Sequence, residues 1–241
     1  MKPPTARSFL TARWANLALL TYAVDPEVLE PLLPPECQLD LRDGRAFVSL
    51  VAFDFQDTRV KGIRWPGYRN FPEINLRFYV RHGEHRGVSF IQELVPQRLV
   101  AFMARTFYNE PYRVAAMVSK TTSNDETIEV EHQLNYGGRQ HRLKLRGSIS
   151  GFMPADDSIE HFFKEHSWGF GTSRQRQLLR YRVLHPQWNI WPLKSWELDW
   201  DWSAVYGNRW SFLQKAEPYS VIFAEGSDVR VSPCGKGSIV D

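Results

Sequence analysis

Residues 71–80 constrain this chain more than any other stretch: Glu73, Asn75, Arg77 and Tyr79 alternate strictly with Ile74, Leu76, Phe78 and Val80. A period of two is the pattern of a β-strand, whose successive side chains point to opposite faces. The apolar row must pack on a core. The other row then presents an acid, an amide, a guanidinium and a phenol along one surface, with neighbours about 7 Å apart. That surface is either solvated or the wall of a cavity, and residue types alone leave both open. The next run, Gly87 to Val95, follows a short polar turn at His82-Gly83-Glu84-His85. The two runs therefore predict an antiparallel hairpin inside a larger sheet.

Strand signals recur along the chain. Residues 45–55 place Phe47, Ser49, Val51, Phe53 and Phe55 on one face and Ala46, Val48, Leu50, Ala52 and Asp54 on the other, so both faces are expected to be buried. Strand character resumes at residues 113–121, and alternating runs around Gly137-Gly138 predict a long hairpin over 127–150. Trp196, Leu198, Trp200 and Trp202 share a face opposite Glu197, Asp199 and Asp201, which predicts another strand. Three short helices are expected. Asp25 can cap the first, with Pro26 in its opening turn. The second runs over 97–107, with Leu99, Val100, Phe102, Met103 and Phe107 at core spacing. Asp157 and Glu160 form a capping-box pattern ahead of Ile159, Phe162 and Phe163. The fold class is thus mostly β (α+β), and with no Pro/Gly/Ser-rich linker in 241 residues the chain is expected to be one domain over 1–241.

Composition narrows the function. The chain is 43% hydrophobic with 9 Trp, 9 Tyr and 15 Phe, enough for an aromatic core. Its net charge of +3 is spread along the sequence and interleaved with acids, and no nucleic-acid-binding motif occurs, so neither nucleic acid nor a membrane is expected as partner. The N-terminal residues lack the apolar run of a signal peptide, and the expected location is cytoplasmic. Two cysteines, Cys37 and Cys234, are too few for a disulfide framework and are expected to be reduced and structural. The seven histidines include no HExxH spacing, and no metal is expected; nor do serine-nucleophile or phosphate-loop motifs occur. His166 and His185 lie beside Trp168 and Trp188 and are candidates for lining a cavity.

Three ordered segments carry a family resemblance: residues 17–34, with Tyr22-Ala-Val-Asp-Pro26; Pro72-Glu-Ile-Asn-Leu-Arg-Phe-Tyr-Val80 with Gly87-Val-Ser-Phe90; and residues 104–117, with Tyr108-Asn-Glu-Pro-Tyr112. Together they resemble the bacterial YqjF-like family, a conserved domain of unknown function related to acetoacetate decarboxylase. Residues 160–167, 185–188 and 218–226 extend the likeness through the C-terminal half. The resemblance implies an antiparallel double sheet, a cone-like partial barrel, enclosing an apolar cavity with a few polar groups. It favours the inward orientation for Glu73 and Arg77.

Acetoacetate decarboxylase forms a Schiff base on a lysine whose pKa is lowered by desolvation and an adjacent cation. The corresponding stretch here is Asn109-Glu-Pro-Tyr-Arg113; Tyr112 and Arg113 cannot form an imine. Lys120 shares the parity of Tyr112 but lies about 26 Å along an extended strand. An arginine of the family's first strand is replaced by Ala23, whereas the acid is retained as Glu73. The expected function is a cavity that binds a small organic acid or carbonyl compound without Schiff-base chemistry and without a cofactor, and the residues leave open whether it converts that compound or only holds it. If it is an enzyme, a lyase-like activity on a small carboxylate is expected. Arg77 would meet the carboxylate, with Asn75, Tyr108, Arg113, His166 and His185 as further ligand-binding candidates. Glu73 would be the general base and Tyr112 a hydrogen-bond donor to a carbonyl. The alternative is a non-catalytic binding module that stacks a planar or sugar ligand on the tryptophans between 188 and 210. Homo-oligomerisation is left open.

Overall fold

The period-two runs become strands in the computed structural model, which describes residues 8–237. In chain order the described strands are β1 (Leu10–Val24), β2 (Gln38–Leu39), β3 (Ala46–Val60), β4 (Phe71–His82), β5 (His85–Val95), β6 (Tyr112–Val114), β7 (Ala116–Ser123), β8 (Thr127–Tyr136), β9 (Arg139–Ser148), β10 (Trp168–Thr172), β11 (Leu178–Leu184), β12 (Leu193–Asp199), β13 (Ser220–Val231) and β14 (Gly235–Lys236). The helices are α1 (Pro26–Leu29), α2 (Arg98–Phe107), α3 (Ile159–Lys164) and α4 (Trp202–Tyr206). Strands and helices thus combine around two sheets. The ten-stranded sheet runs β2-β4-β3-β1-β13-β11-β10-β5-β6, with β14 paired to β11, and β5 pairs back with β4. The smaller sheet is β12-β9-β8-β7.

The large sheet is buried on both faces. Leu20, Leu50, Ile74 and Leu76 point toward the small sheet and meet Val130, Leu143, Trp200 and Trp202 in one core. Leu19, Val51, Phe53, Tyr79 and Phe163 form a second core on the opposite side. Strand β3 feeds both, as its double apolar pattern predicts. Fully burying one such leucine stabilises the fold by about 1.5–3 kcal/mol. The sheets are also pinned by polar contacts at a β-bulge in β1: Asn16, at φ 58°, donates to Asp54 and to Thr121 of the small sheet (both 3.1 Å). Asparagine tolerates that left-handed conformation better than most residues.

Several expectations need correction. The tryptophan strand ends at Asp199; Asp201 accepts from the Ala204 amide (2.9 Å), so Trp202 opens α4. Trp188, Trp200, Trp202 and Trp210 are all at most 2% exposed, so these four offer no stacking surface, whereas Trp196 is half-buried. The cap of α3 is Ser158, not Asp157, because its hydroxyl accepts from the His161 amide (3.1 Å). In α2, Leu99, Val100, Met103 and Ala104 form the inward stripe, whereas Phe102 and Phe107 fall outside it and are more than half exposed. Asp25 does cap α1, accepting from the Glu27 amide. Both cysteines are free.

Candidate functional site

A cavity of about 160 Å³ lies on the side of the large sheet covered by α2. Most of its wall is apolar, including Trp14, Phe53, Phe55 and Phe71. The polar row of β4 enters it: Glu73, Asn75 and Arg77 all line the space. Strand register brings further polar groups to the same end. Asn75 stands opposite Glu93 on β5, and Glu93 stands opposite Tyr112 on β6. Glu110, just before β6, and Tyr181 on β11 complete the group.

Hydrogen bonds tie the acids to phenols. Tyr112 donates to Glu73 Oε2 (2.8 Å), and Asn75 Nδ2 donates to Glu73 Oε1 (3.0 Å). Tyr181 donates to Glu110 Oε1 (3.0 Å). Tyrosine 181 can lie there because β10 carries glycine behind it: a Cβ on Gly169 would come within 2.2 Å of the Tyr181 ring. Arg77 makes a different contact, donating through Nη2 to the carbonyl of Phe163 (3.3 Å). Its Nε, the Asn75 Oδ1 and the Glu93 Oε2 are buried without a hydrogen-bond partner.

Burial governs the acids. It raises Glu73 to about 7, against the hydrogen bonds from Tyr112 and Asn75 and the nearby Arg77 charge, which pull the other way. Glu110 is raised to about 8, chiefly by burial, with Tyr181 lowering it and the Glu73 charge raising it. Glu93 is pushed well above the usual carboxylate range by burial and then by the charges of Glu110 and Glu73. Burial likewise raises the Tyr112 and Tyr181 phenols, keeping them as O–H donors. Three carboxyl groups in one desolvated pocket therefore retain protons near neutral pH, where an acid can both give and take one.

Of the residues singled out in the sequence, Glu73, Asn75, Arg77, Tyr108 and Tyr112 meet at this cavity. Tyr108 contributes its ring, while its hydroxyl donates to the carbonyl of Ser232 (2.8 Å). The other three lie outside the lining. Arg113 points outward, because the next residue on a strand takes the opposite face, and donates to the Tyr136 hydroxyl (3.1 Å). His166 lies under α3 with Asp40 (3.3 Å) and Arg86 (3.4 Å), and burial lowers it to about 4. His185 packs on Trp188 behind Trp14, with ring centroids 4.4 Å apart for the first pair and 6.4 Å for His185 and Trp14. Sequence reasoning missed Glu93, Glu110 and Tyr181. An acid inside the apolar run from Ile91 to Val95 was the available signal for Glu93. Among the described residues no group of three His, Cys, Asp or Glu is arranged to hold a metal, and no lysine lines the cavity.

The same architecture occurs in solved structures. An acetoacetate decarboxylase-like enzyme from Sphingomonas wittichii RW1 superposes with a TM-score of 0.66 over 97% of this chain and 94% of that one, at 12% identity. Acetoacetate decarboxylase from Legionella pneumophila gives 0.62 over 100% and 93%, at 15% identity. The enduracididine biosynthesis enzyme MppR complexed with pyruvate gives 0.63 over 98% and 91%, at 13% identity. These identities establish likeness of fold alone. In sequence, the chain is 28% identical over 227 residues to the uncharacterized protein YqjF of Bacillus subtilis strain 168, covering 93% of this chain and 91% of YqjF. The DUF2071 family, described as an uncharacterized conserved protein, matches residues 11–228. The chain therefore belongs to the DUF2071 family, and it carries that family's sequence on an acetoacetate decarboxylase-like fold.

Proposed function

We propose that the cavity receives a small organic acid or carbonyl compound and that Glu73 exchanges a proton with it. The observation that carries this reading is Glu73 itself: 2% exposed, held by Tyr112 and Asn75, raised to about 7, and facing an apolar space that Arg77 also lines. A carboxyl with a pKa near the working pH is suited to proton transfer. Arg77 supplies the cation for a carboxylate or a polarised carbonyl. Once Glu73 takes a proton it needs the Tyr112 hydrogen bond less, and that hydroxyl becomes free to donate to the ligand's oxygen. The path from β4 around to β5 is a partial barrel in this reading, with the cavity as its interior. MppR, which shares the fold, is complexed with pyruvate, a small keto acid, and supports the ligand class.

The test is a thermal-shift screen of small keto, hydroxy and aromatic acids on the parent and on Arg77→Ala. Ligand at about 100 times its dissociation constant adds roughly 2.7 kcal/mol of stability. The reading expects a shift in the parent that Arg77→Ala loses. It further expects Glu73→Gln to keep the shift while losing any turnover of the hit compound. Equal shifts in parent and Arg77→Ala, or none in either, would contradict it.

A further inference from the structure

At the polar end of the cavity two buried side-chain oxygens have no hydrogen-bond partner within the protein, and neither does the Arg77 Nε donor. Tyr112 has one hydroxyl proton, which goes to Glu73 at 2.8 Å, although it also stands near Glu93. The Tyr181 proton goes to Glu110. The Asn75 amide nitrogen is committed to Glu73, which turns Oδ1 away as an acceptor without a partner. Directly across the strand pair, Glu93 is 3% exposed, and its Oε2 also lacks a partner. Leaving such groups buried and unpaired is unfavourable. These two oxygens share one register position beside an apolar space, where a ligand can meet both.

Charge points the same way. Glu73, Glu93 and Glu110 line the cavity, with Arg77 as the cation among its lining residues. A simple carboxylate ligand would add a fourth acid to a pocket that already keeps protons on its own. A cation would instead let one of the three ionise and would form a charge-assisted hydrogen bond in a desolvated place. We propose that the ligand presents a protonated nitrogen, an ammonium or amidinium-type group, to Glu93 and Asn75. This rests on the reading that the cavity holds a small molecule, and makes that molecule a nitrogen-bearing acid or carbonyl compound with an apolar body.

The experiment is titration calorimetry of the full chain at pH 7.5 with two probes that share a body, 4-phenylbutylamine and 4-phenylbutyrate. Each titration is run in two buffers of different ionisation enthalpy. The amine is expected to bind the parent with release of protons from the carboxyl group. Its affinity should fall at least tenfold in Glu93→Gln. Asn75→Leu supplies a second test if the first variant does not fold, with the same direction expected. Binding of the butyrate but not the amine, lost in Arg77→Ala, would overturn this inference and leave the acid-binding reading standing. Amine binding undiminished in Glu93→Gln and Asn75→Leu would show partition into an apolar space and would also overturn it. If neither probe binds, both readings fall.

Discussion

Strands β4 and β8 carry the same pattern and meet different fates. In β4, Glu73, Asn75 and Arg77 alternate with Ile74, Leu76 and Phe78; in β8, Glu129, Glu131 and Gln133 alternate with Ile128, Val130, the buried His132 and Leu134. The apolar rows enter one shared core. The polar row of β8 remains partly open to water, where Glu129 pairs with Lys144 (2.9 Å). That of β4 is covered, with Glu73 and Asn75 each 2% exposed. Alternation therefore identifies which face is greasy. Whether the polar face is wet depends on what the rest of the chain lays over it, here α2, β6 and β11. The consequence is chemical: solvent screens the exposed acids, while the covered ones must be paired or keep their protons.

The first way to break this comparison is to challenge the claim that both apolar rows serve one core. Leu76→Ala and Leu143→Ala should each cost about 2–5 kcal/mol in urea unfolding. A cheap loss at Leu143 would mean that the small sheet is only loosely docked. The polar faces should then separate by pH. Glu73 and Glu110 are raised to about 7 and about 8, above an ordinary carboxyl near 4.5. Their contribution is complete below that ordinary value and is lost as pH rises through 7 to 8. Stability should thus fall by a few kcal/mol between pH 5 and 9. Thermal unfolding of Glu73→Gln should show a shallower slope than that of the parent.

Smaller effects sharpen the contrast. Gly169→Ala places a methyl group on the Tyr181 ring and should cost about 1–3 kcal/mol, because the phenol must leave Glu110 to relieve the clash. Unchanged stability there would show that Tyr181 is free to move. Least of all, Lys144→Met on the wet face should leave stability close to the parent's, and the small change should shrink in 1 M salt. A larger loss at that position would mean that the two faces are more alike than their exposure indicates.

The hairpin of β4 and β5 was legible because its pattern is strict, and α1 because Asp25 and Pro26 are placed where a helix start needs them. Acid 93 was harder to see because Gln92 and Glu93 are consecutive polar residues that are both buried. The register slips between Leu76 and Arg77, and Gln92 finds the carbonyl of Val205 (3.0 Å) while Glu93 enters the cavity. A bulge breaks the alternation from which a face is inferred. Glu110 and Tyr181 reach the site from distant parts of the chain, so proximity, rather than local pattern, defines their role. His166 was misplaced because an adjacent tryptophan says nothing of direction; α3 turns it toward Asp40.

The most direct test of a covered, proton-holding β4 face is a carbon-13 NMR titration of the glutamate carboxyl groups, with Glu73, Glu93 and Glu110 assigned by single Gln variants. The structure predicts that Glu73 titrates at about 7 and Glu110 at about 8, with Glu93 well above the usual range, while the fold persists. If all three titrate near 4.5, the face is solvated, and the cavity site does not exist in the form described.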